Sequence, residues 1–326
     1  MAIHHLTFDE LLAVARSPGH AWGDDIVLVD LDADEEAPPD AGATRPDALP
    51  GVVIGIAGTA AAERRPGAAV CDVVLPAGDA AIGQVLVTLD AAPVASRALV
   101  LHMRSVAHLS VADGLAAESA VYSALQAGPE FAAWRAARPP RRRGDGGEPV
   151  TLVRDGGCLE ITLDRPHVRN ALNIAMRDAL VDAFAVPALD PSITEIHLRG
   201  AGASFCAGGD LDEFGSFPDP ATAHLIRLRQ SVGRAIDAVA DRVTAHLHGA
   251  CAGSGIELPA FAGRVIAAPS TTISLPELSL GLIPGAGGTV SLPRRIGRHR
   301  TTRLALSGER LDAATALEWG LVDAIS

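Results

Sequence analysis

The chain has 326 residues, 48% of them hydrophobic, enough for one large core or two ordinary domains. Its 27 basic and 39 acidic residues leave a net charge of −12, which argues against a nucleic-acid partner while leaving room for an anionic ligand held by local arginines and backbone N–H groups. No apolar run nears the ~20 residues of a membrane span, MAIHHLTFDELLAVARS lacks a signal-peptide core, and Cys71, Cys158, Cys206 and Cys251 form no CxxC pair, so a cytoplasmic protein without membrane association is expected.

In chain order, the first strand candidates are DIVLVDLD (25–32) and GVVIGIAG (51–58), both β-branched and bounded by breakers. Between them DADEEAPPDAGATRPDALPG (32–51) is acidic and proline-rich and reads as a long exposed loop. The period then turns helical, and residues 80–138 read as successive helices broken near Pro93 and Gly128. Within 111–125, Leu115, Val121, Tyr122 and Leu125 fall at helical spacing, as in a core or subunit-contact helix. ARPPRRRGDGGEP (137–149) cannot pack as a core element and marks a linker, its arginine run a solvated charge cluster. The expected organisation is an N-terminal region 1–138, a linker 139–149 and a core 150–326.

From Val150 onward strands and helices alternate. CLEITLDRP is a strand closed by proline. NIAMRDALVDAFAVPAL puts Ala175, Met176, Ala179, Leu180, Ala183 and Phe184 on one helical face, with Asn173 as its cap. EIHLRG is a strand, 220–240 is helical, and VTAHLHGACAGSGIELPAFAG reads as strand, bare loop and helix. RVIAAP, TTISLPE and a closing helical region follow. Such units imply an α/β core built on parallel pairing, with ligand sites in loops at strand ends.

Two stretches lose their side-chain bulk where a strand gives way: FCAGGDL (205–211) and HGACAGSGIELP (248–259). Each could serve only close packing; together they could each donate one N–H to a single oxygen, an oxyanion hole worth roughly 3–4 kcal/mol as charge develops. Glu257 falls in the first turn after the second loop, and Glu277 follows TTISLP at a strand end. Two carboxyls near such a hole could orient a water and move a proton beside the carbonyl. The second loop lacks GxGxxG spacing, and Ser254 lacks the glycines of a nucleophile elbow, which argues against a serine hydrolase. His246 and His248 would share one strand face, but no convergent Cys, His or Asp set accompanies them, so no metal is expected.

The stretch 150–326 resembles the enoyl-CoA hydratase/isomerase (crotonase) superfamily. LDRPHVRNALN (163–173), GAGASFCAGGDLDEF (200–214), HGACAGSGIEL (248–258), SLPELSLGLIPGAGGTVSLPRRIG (274–297) and LSGERLDAATALEWGLVDAI (306–325) match its motifs in order. The resemblance implies a crotonase-like ββα superhelix core with an additional N-terminal α/β segment ending in helices. It implies that the N–H groups of Gly209 and Ser254 form the oxyanion hole, and that Glu257 and Glu277 are the catalytic carboxylates of a hydratase acting on an α,β-unsaturated acyl-CoA. Arg169, Ala171, Ala207 and Asp210 match the region that holds coenzyme A, which would be part of the substrate; no other cofactor is implied. A homotrimer or hexamer is the family's assembly.

The sequence departs from the family pattern in three places. Ser254 stands where glycine is usual, the strand before the second loop reads DRVTAHLHG without its usual Lys-Pro, and some 60 helical residues that usually follow GLVDAI do not follow here. A similar helical segment lies upstream instead, in APVASRALVLHMR and LSVADGLAAESAVYSALQAGPEFAAWRAARPP, so residues 1–138 resemble a degenerate, shortened crotonase unit whose helices are expected to pack onto 150–326. Three readings follow: an enoyl-CoA hydratase; a Δ3–Δ2 enoyl-CoA isomerase or another thioester-enolate enzyme; or an acyl-CoA-binding or scaffold subunit with little catalysis.

Overall fold

The computed structural model describes residues 2–15, 25–33, 51–58, 65–139, 141 and 147–326; most of the expected loop at 32–51 and the middle of the linker lie outside these. β1 (Ile3–Thr7), α1 (Phe8–Ala15), β2 (Ile26–Asp30), β3 (Val52–Ala57) and β4 (Val73–Pro76) open the chain. Their strands form one four-stranded, all-parallel sheet in the order β1-β2-β3-β4. Both β-branched runs therefore became strands, and side-chain alternation divides them between two cores. Val27, Val29 and Val53 face Phe8, Leu11 and Leu12 under α1, while Ile26, Val52, Ile54, Val73 and Leu75 join the main core.

Four helices follow: α2 (Ala81–Ala91), α3 (Pro93–Val106), α4 (Val111–Gln126) and α5 (Pro129–Ala137). The breaks at Pro93 and Gly128 are where the sequence places them. A third break, before α4, carries neither proline nor glycine, and Ser110 makes it, its hydroxyl accepting from the Asp113 N–H at 3.1 Å.

The second half runs β5 (Val150–Asp155), β6 (Cys158–Leu163), α6 (Ile174–Leu189), β7 (Glu195–Gly200), α7 (Pro220–Arg229), α8 (Val232–Asp237), β8 (Val243–Leu247), β9 (Ala250–Ala252), α9 (Ser254–Glu257), β10 (Arg264–Ala267), β11 (Thr272–Ser274), α10 (Gly288–Ser307), β12 (Leu311–Asp312), α11 (Ala313–Trp319) and β13 (Ala324–Ile325). A six-stranded sheet has the order β13-β10-β8-β7-β6-β5, parallel except for the β5–β6 hairpin, and a smaller sheet has the order β12-β11-β9. α6 buries Met176, Leu180, Ala183 and Phe184 and is capped by Asn173, whose Oδ1 accepts from the Met176 N–H at 2.9 Å. Ala175 is exposed, so the apolar stripe is narrower than its sequence suggests.

The expected docking is present within one chain. α10 packs against α2, α3 and α4, and α4 crosses α7 and α8. One continuous apolar cluster contains Leu99, Met103, Leu115 and Phe131 from the first half and Phe261, Leu280, Ile283 and Val290 from the second. Charge ties the halves at a buried joint. Asp72, 1% exposed, accepts from the Val53 N–H at 2.9 Å and pairs with Arg104 at 2.7 Å and Arg298 at 3.7 Å. Arg303 of α10 pairs with Asp79 at 2.9 Å just before α2.

Candidate active site

The two bare loops lie against each other in a short strand-like pairing. The Phe205 N–H donates to the His248 carbonyl at 2.8 Å, Cys206 N–H to Ala250 at 3.3 Å, and Ala252 N–H to Cys206 at 3.1 Å. A Cβ at position 255 would collide with the Cys206 carbonyl, so Gly255 is what allows this approach. Gly209 and Ser254 thereby come to border one cavity of about 370 Å³. Among the described residues neither backbone N–H has an acceptor. The Ser254 hydroxyl sits 3.7 Å from Cys206 Sγ, and its side chain is buried.

Behind the first loop stands a residue that sequence reasoning quoted but did not single out. Asn170 is fully buried; its amide donates to the carbonyls of Ala201, Ser204 and Phe205 at 2.8, 2.9 and 3.0 Å, and its Oδ1 accepts from the Arg165 N–H at 2.8 Å. It holds Arg169 and itself at φ 55°, a left-handed conformation that Asn tolerates better than most residues. Around this turn, the Ala207 N–H donates to the Arg169 carbonyl at 2.9 Å and the Ala171 carbonyl accepts from Arg165. Arg169, Ala171 and Ala207 therefore share one rim and do not line the cavity. Asp210 does line it, but its carboxylate is committed to Arg165 at 3.1 Å and holds the loop.

Glu257 and Glu277 meet as expected. A Cβ at Gly253, where φ is 49°, would collide with Glu277 Oε1 and lie 3.6 Å from Glu257 Oε1, so both carboxyls flank one bare backbone atom. Both are buried, at 2% and 8% exposure, and both line the cavity. Their partners differ. Glu257 Oε2 accepts the Ala286 and Gly288 N–H groups, each at 2.8 Å. Glu277, on the 3₁₀ turn that follows β11, has no partner for its buried Oε2 among the described residues.

A third glutamate went unnoticed in the sequence. Glu118, on α4 and 2% exposed, accepts the Gly287 N–H at 2.7 Å through Oε1, and the Thr289 N–H and hydroxyl at 2.9 and 2.7 Å through Oε2. Two carboxyls thus take four successive N–H groups where α10 begins, an end whose dipole favours negative charge. The helix read as core or subunit contact does put Leu115, Tyr122 and Leu125 in the main core, and it is also a wall of the site: Leu115, Glu118, Ser119, Tyr122 and Gln126 line the cavity. Its i, i+3, i+4 spacing gave the helix but not what it faces.

Burial raises the pKa of all three acids. Glu257 is pushed up to about 7, its two backbone N–H donors opposing the rise. Burial and the charge of Glu257 take Glu118 up to about 8, against its bonds from Thr289 and Gly287. Glu277 is raised well above the usual range by burial, by Glu257 and by Glu118. Near neutral pH Glu257 is poised to ionise, in a group of three acids that burial biases toward the protonated form, beside two unpaired N–H groups.

His246 and His248 have separate partners. β8 ends at Leu247; His246 Nε2 lies 2.9 Å from His197 Nδ1, while His248 Nε2 lies 3.1 Å from the Gly202 carbonyl. Among the described residues, Cys158, Glu195 and His197 could hold a metal ion, with ligand atoms within 4.8 Å of one another, and none of them lines the cavity.

Comparison with known proteins identifies the family. The enoyl-CoA hydratase/isomerase family model matches residues 154–326. Over 173 residues the chain is 36% identical to 2,3-dehydroadipyl-CoA hydratase of Escherichia coli (strain K12), covering 53% of this chain and 67% of that protein. Over 171 residues it is 36% identical to 1,2-epoxyphenylacetyl-CoA isomerase of the same bacterium, covering 51% of this chain and 65% of that protein. The crystal structure of enoyl-CoA hydratase from Thermoplasma volcanium GSS1 superposes with a TM-score of 0.52 at 36% identity, covering 55% of this chain and 72% of that one. These matches take in about half of this chain and about two thirds of each relative.

Proposed function

The chain belongs to the enoyl-CoA hydratase/isomerase family, and from that premise we propose that it adds water across the α,β double bond of an enoyl-CoA thioester. One observation carries the reading: two buried glutamates of unlike surroundings flank Gly253 in the cavity that also holds the unpaired N–H groups of Gly209 and Ser254.

The thioester oxygen accepts from those two N–H groups, which stabilise the enolate-like charge that develops on it. Glu257, kept in place by Ala286 and Gly288, orients a water and takes its proton as the oxygen bonds to the β carbon. Glu277, protonated, delivers its proton to the α carbon on the same face. The product gains both parts of one water, and the two carboxyls exchange protonation states before the next turn. Arg169, Ala171 and Ala207 border the same loop from outside the cavity, where coenzyme A would extend. Coenzyme A enters as part of the substrate, and this chemistry calls on no other cofactor.

Because the family model covers hydratases and isomerases alike, a second reading is a Δ3–Δ2 isomerase, in which a single carboxyl shuttles a proton between the α and γ carbons. The test is hydration of crotonyl-CoA, followed by loss of the enoyl-thioester absorbance. Glu257→Gln and Glu277→Gln should each lower turnover by about 10²-fold or more. Undiminished hydration by Glu257→Gln would overturn the assignment. Isomerisation of a Δ3-enoyl-CoA that survives in that variant, with no hydration by the wild type, would establish the isomerase.

A further inference from the structure

Among the described residues, several buried or half-buried arginines have an acid beside them. Arg104 pairs with Asp72, Arg165 with Asp210, Arg295 with Asp323, and Arg303 with Asp79 and Glu309. Arg227 of α7, like Arg135 and Arg242, has only neutral hydrogen-bond partners among the described residues, but of these three it is the one on the cavity lining. Half-buried, it lines the cavity and donates from Nε to Ser119 Oγ at 3.0 Å, from one terminal nitrogen to Gln126 Oε1 at 3.3 Å, and from the other to Ser123 Oγ. Its guanidinium lies 4.8 Å from the centroid of the Tyr122 ring. Among the described residues no carboxylate forms an ion pair with it, and both oxygens of Glu118 are taken at the start of α10.

These contacts fix the guanidinium without neutralising it. A guanidinium has five N–H groups in a planar fork. Three go to neutral acceptors on α4, leaving one on each terminal nitrogen. The ring of Tyr122 and the apolar side chains of Leu115, Phe214 and Leu228 on the same cavity lining limit the water that could screen the charge. A cation oriented this way suits a carboxylate bound through two oxygens. Of the other arginines on the lining, Arg177 is already paired with Asp178 at 2.7 Å and Arg234 is exposed to solvent.

We propose that Arg227 is the specificity residue of the cavity and that the substrate's acyl group carries a carboxylate at its far end. The inference rests on the acyl-CoA reading above. The cavity that takes the thioester at Gly209 and Ser254 has Arg227 in its wall, whereas Arg169, Ala171 and Ala207 lie outside it and Asp210, the fourth residue expected near the coenzyme, is a carboxylate paired with Arg165. The anion that meets Arg227 is therefore part of the acyl group rather than a coenzyme phosphate.

The experiment compares straight-chain 2-enoyl-CoAs of several lengths, each with its ω-carboxylate counterpart. For the best length, kcat/KM for the carboxylate substrate should exceed that of its methyl-ended partner by about tenfold or more, the range of a charge-assisted hydrogen-bonded pair. Arg227→Gln should bring that ratio close to one, and Arg227→Lys should keep part of it. The ratio is measured within each variant, so a loss of folded protein does not imitate the effect. Equal rates in the wild type, or an Arg227→Gln variant that weakens both substrates alike as a phosphate contact would, overturn the proposal. Calorimetric binding of the saturated pair separates this from the hydratase reading. A carboxylate preference without hydration sinks the hydratase alone, equal binding sinks the carboxylate subsite alone, and no binding of either thioester sinks both.

Discussion

Glu257 and Glu277 are the same residue type facing the same cavity, and their surroundings divide the labour. Glu257 has two backbone donors and the start of α10 to favour its charge, while Glu277 Oε2 has none. Burial raises Glu257 to about 7 and, together with the charge of Glu257, lifts Glu277 well above the usual carboxylate range; in the proposed active form Glu257 is ionised and Glu277 protonated. kcat/KM should therefore rise with pH through about 7 and fall again at higher pH, as Glu277 ionises. In Glu257→Gln the rising limb should vanish from whatever activity remains, and a retained limb would move the base elsewhere. Both glutamates were legible in the sequence because each sits beside a motif. Their division was not, since it depends on N–H groups at 286 and 288, about 30 positions from Glu257. Glu118 was less visible still, its acceptor role fulfilled by groups 169 and 171 positions away. Arg227 lay in a stretch with no motif at all.

At the scale of elements, α4 joins the halves and closes the cavity, and Glu118 fixes it in place. Glu118→Ala leaves the Gly287 and Thr289 N–H groups buried without acceptors, which should cost about 3 kcal/mol of stability, read by urea denaturation. Glu118→Gln keeps one acceptor oxygen and should cost less. The sign of the pH effect is fixed as well. Because the folded pKa is raised from 4.5 to about 8, the folded chain holds this proton more tightly than the unfolded chain. Stability from this group is fully present below 4.5 and is lost as pH rises through about 8. The Glu118→Gln variant should accordingly show a flatter fall in stability across that window, and an unchanged fall would assign the titration to another acid. The sequence told the type of the elements with a long apolar period or a clear cap, because those are local signals, but it did not mark β1, α1, β4 or β5, which are short. It did not tell α4's purpose, because a buried face looks the same whether it meets core or cavity.

At the scale of the whole molecule, the first half supplies what the second cannot do without. Leu115, Tyr122, Leu125 and Phe131 share a cluster with Leu280, Ile283, Val290 and Ile296. Residues 150–326 expressed alone would turn that face to water, at about 25 cal/mol per Å² of apolar surface. We expect this fragment to aggregate, checked by size-exclusion chromatography; a soluble, active fragment would make the first half an independent appendage. The joint at Asp72 spans 226 positions to Arg298, and the wall at Glu118 spans 169 to Gly287. Such distances have a meaning in time. The helices leave the ribosome before the surface they cover has been translated. At roughly 5–20 residues per second, that surface arrives on the order of ten seconds later. For that interval the faces of α3 and α4 that meet α10 lack their native cover, so we expect the newborn chain to draw on chaperones and its yield in a cell to rise with their supply.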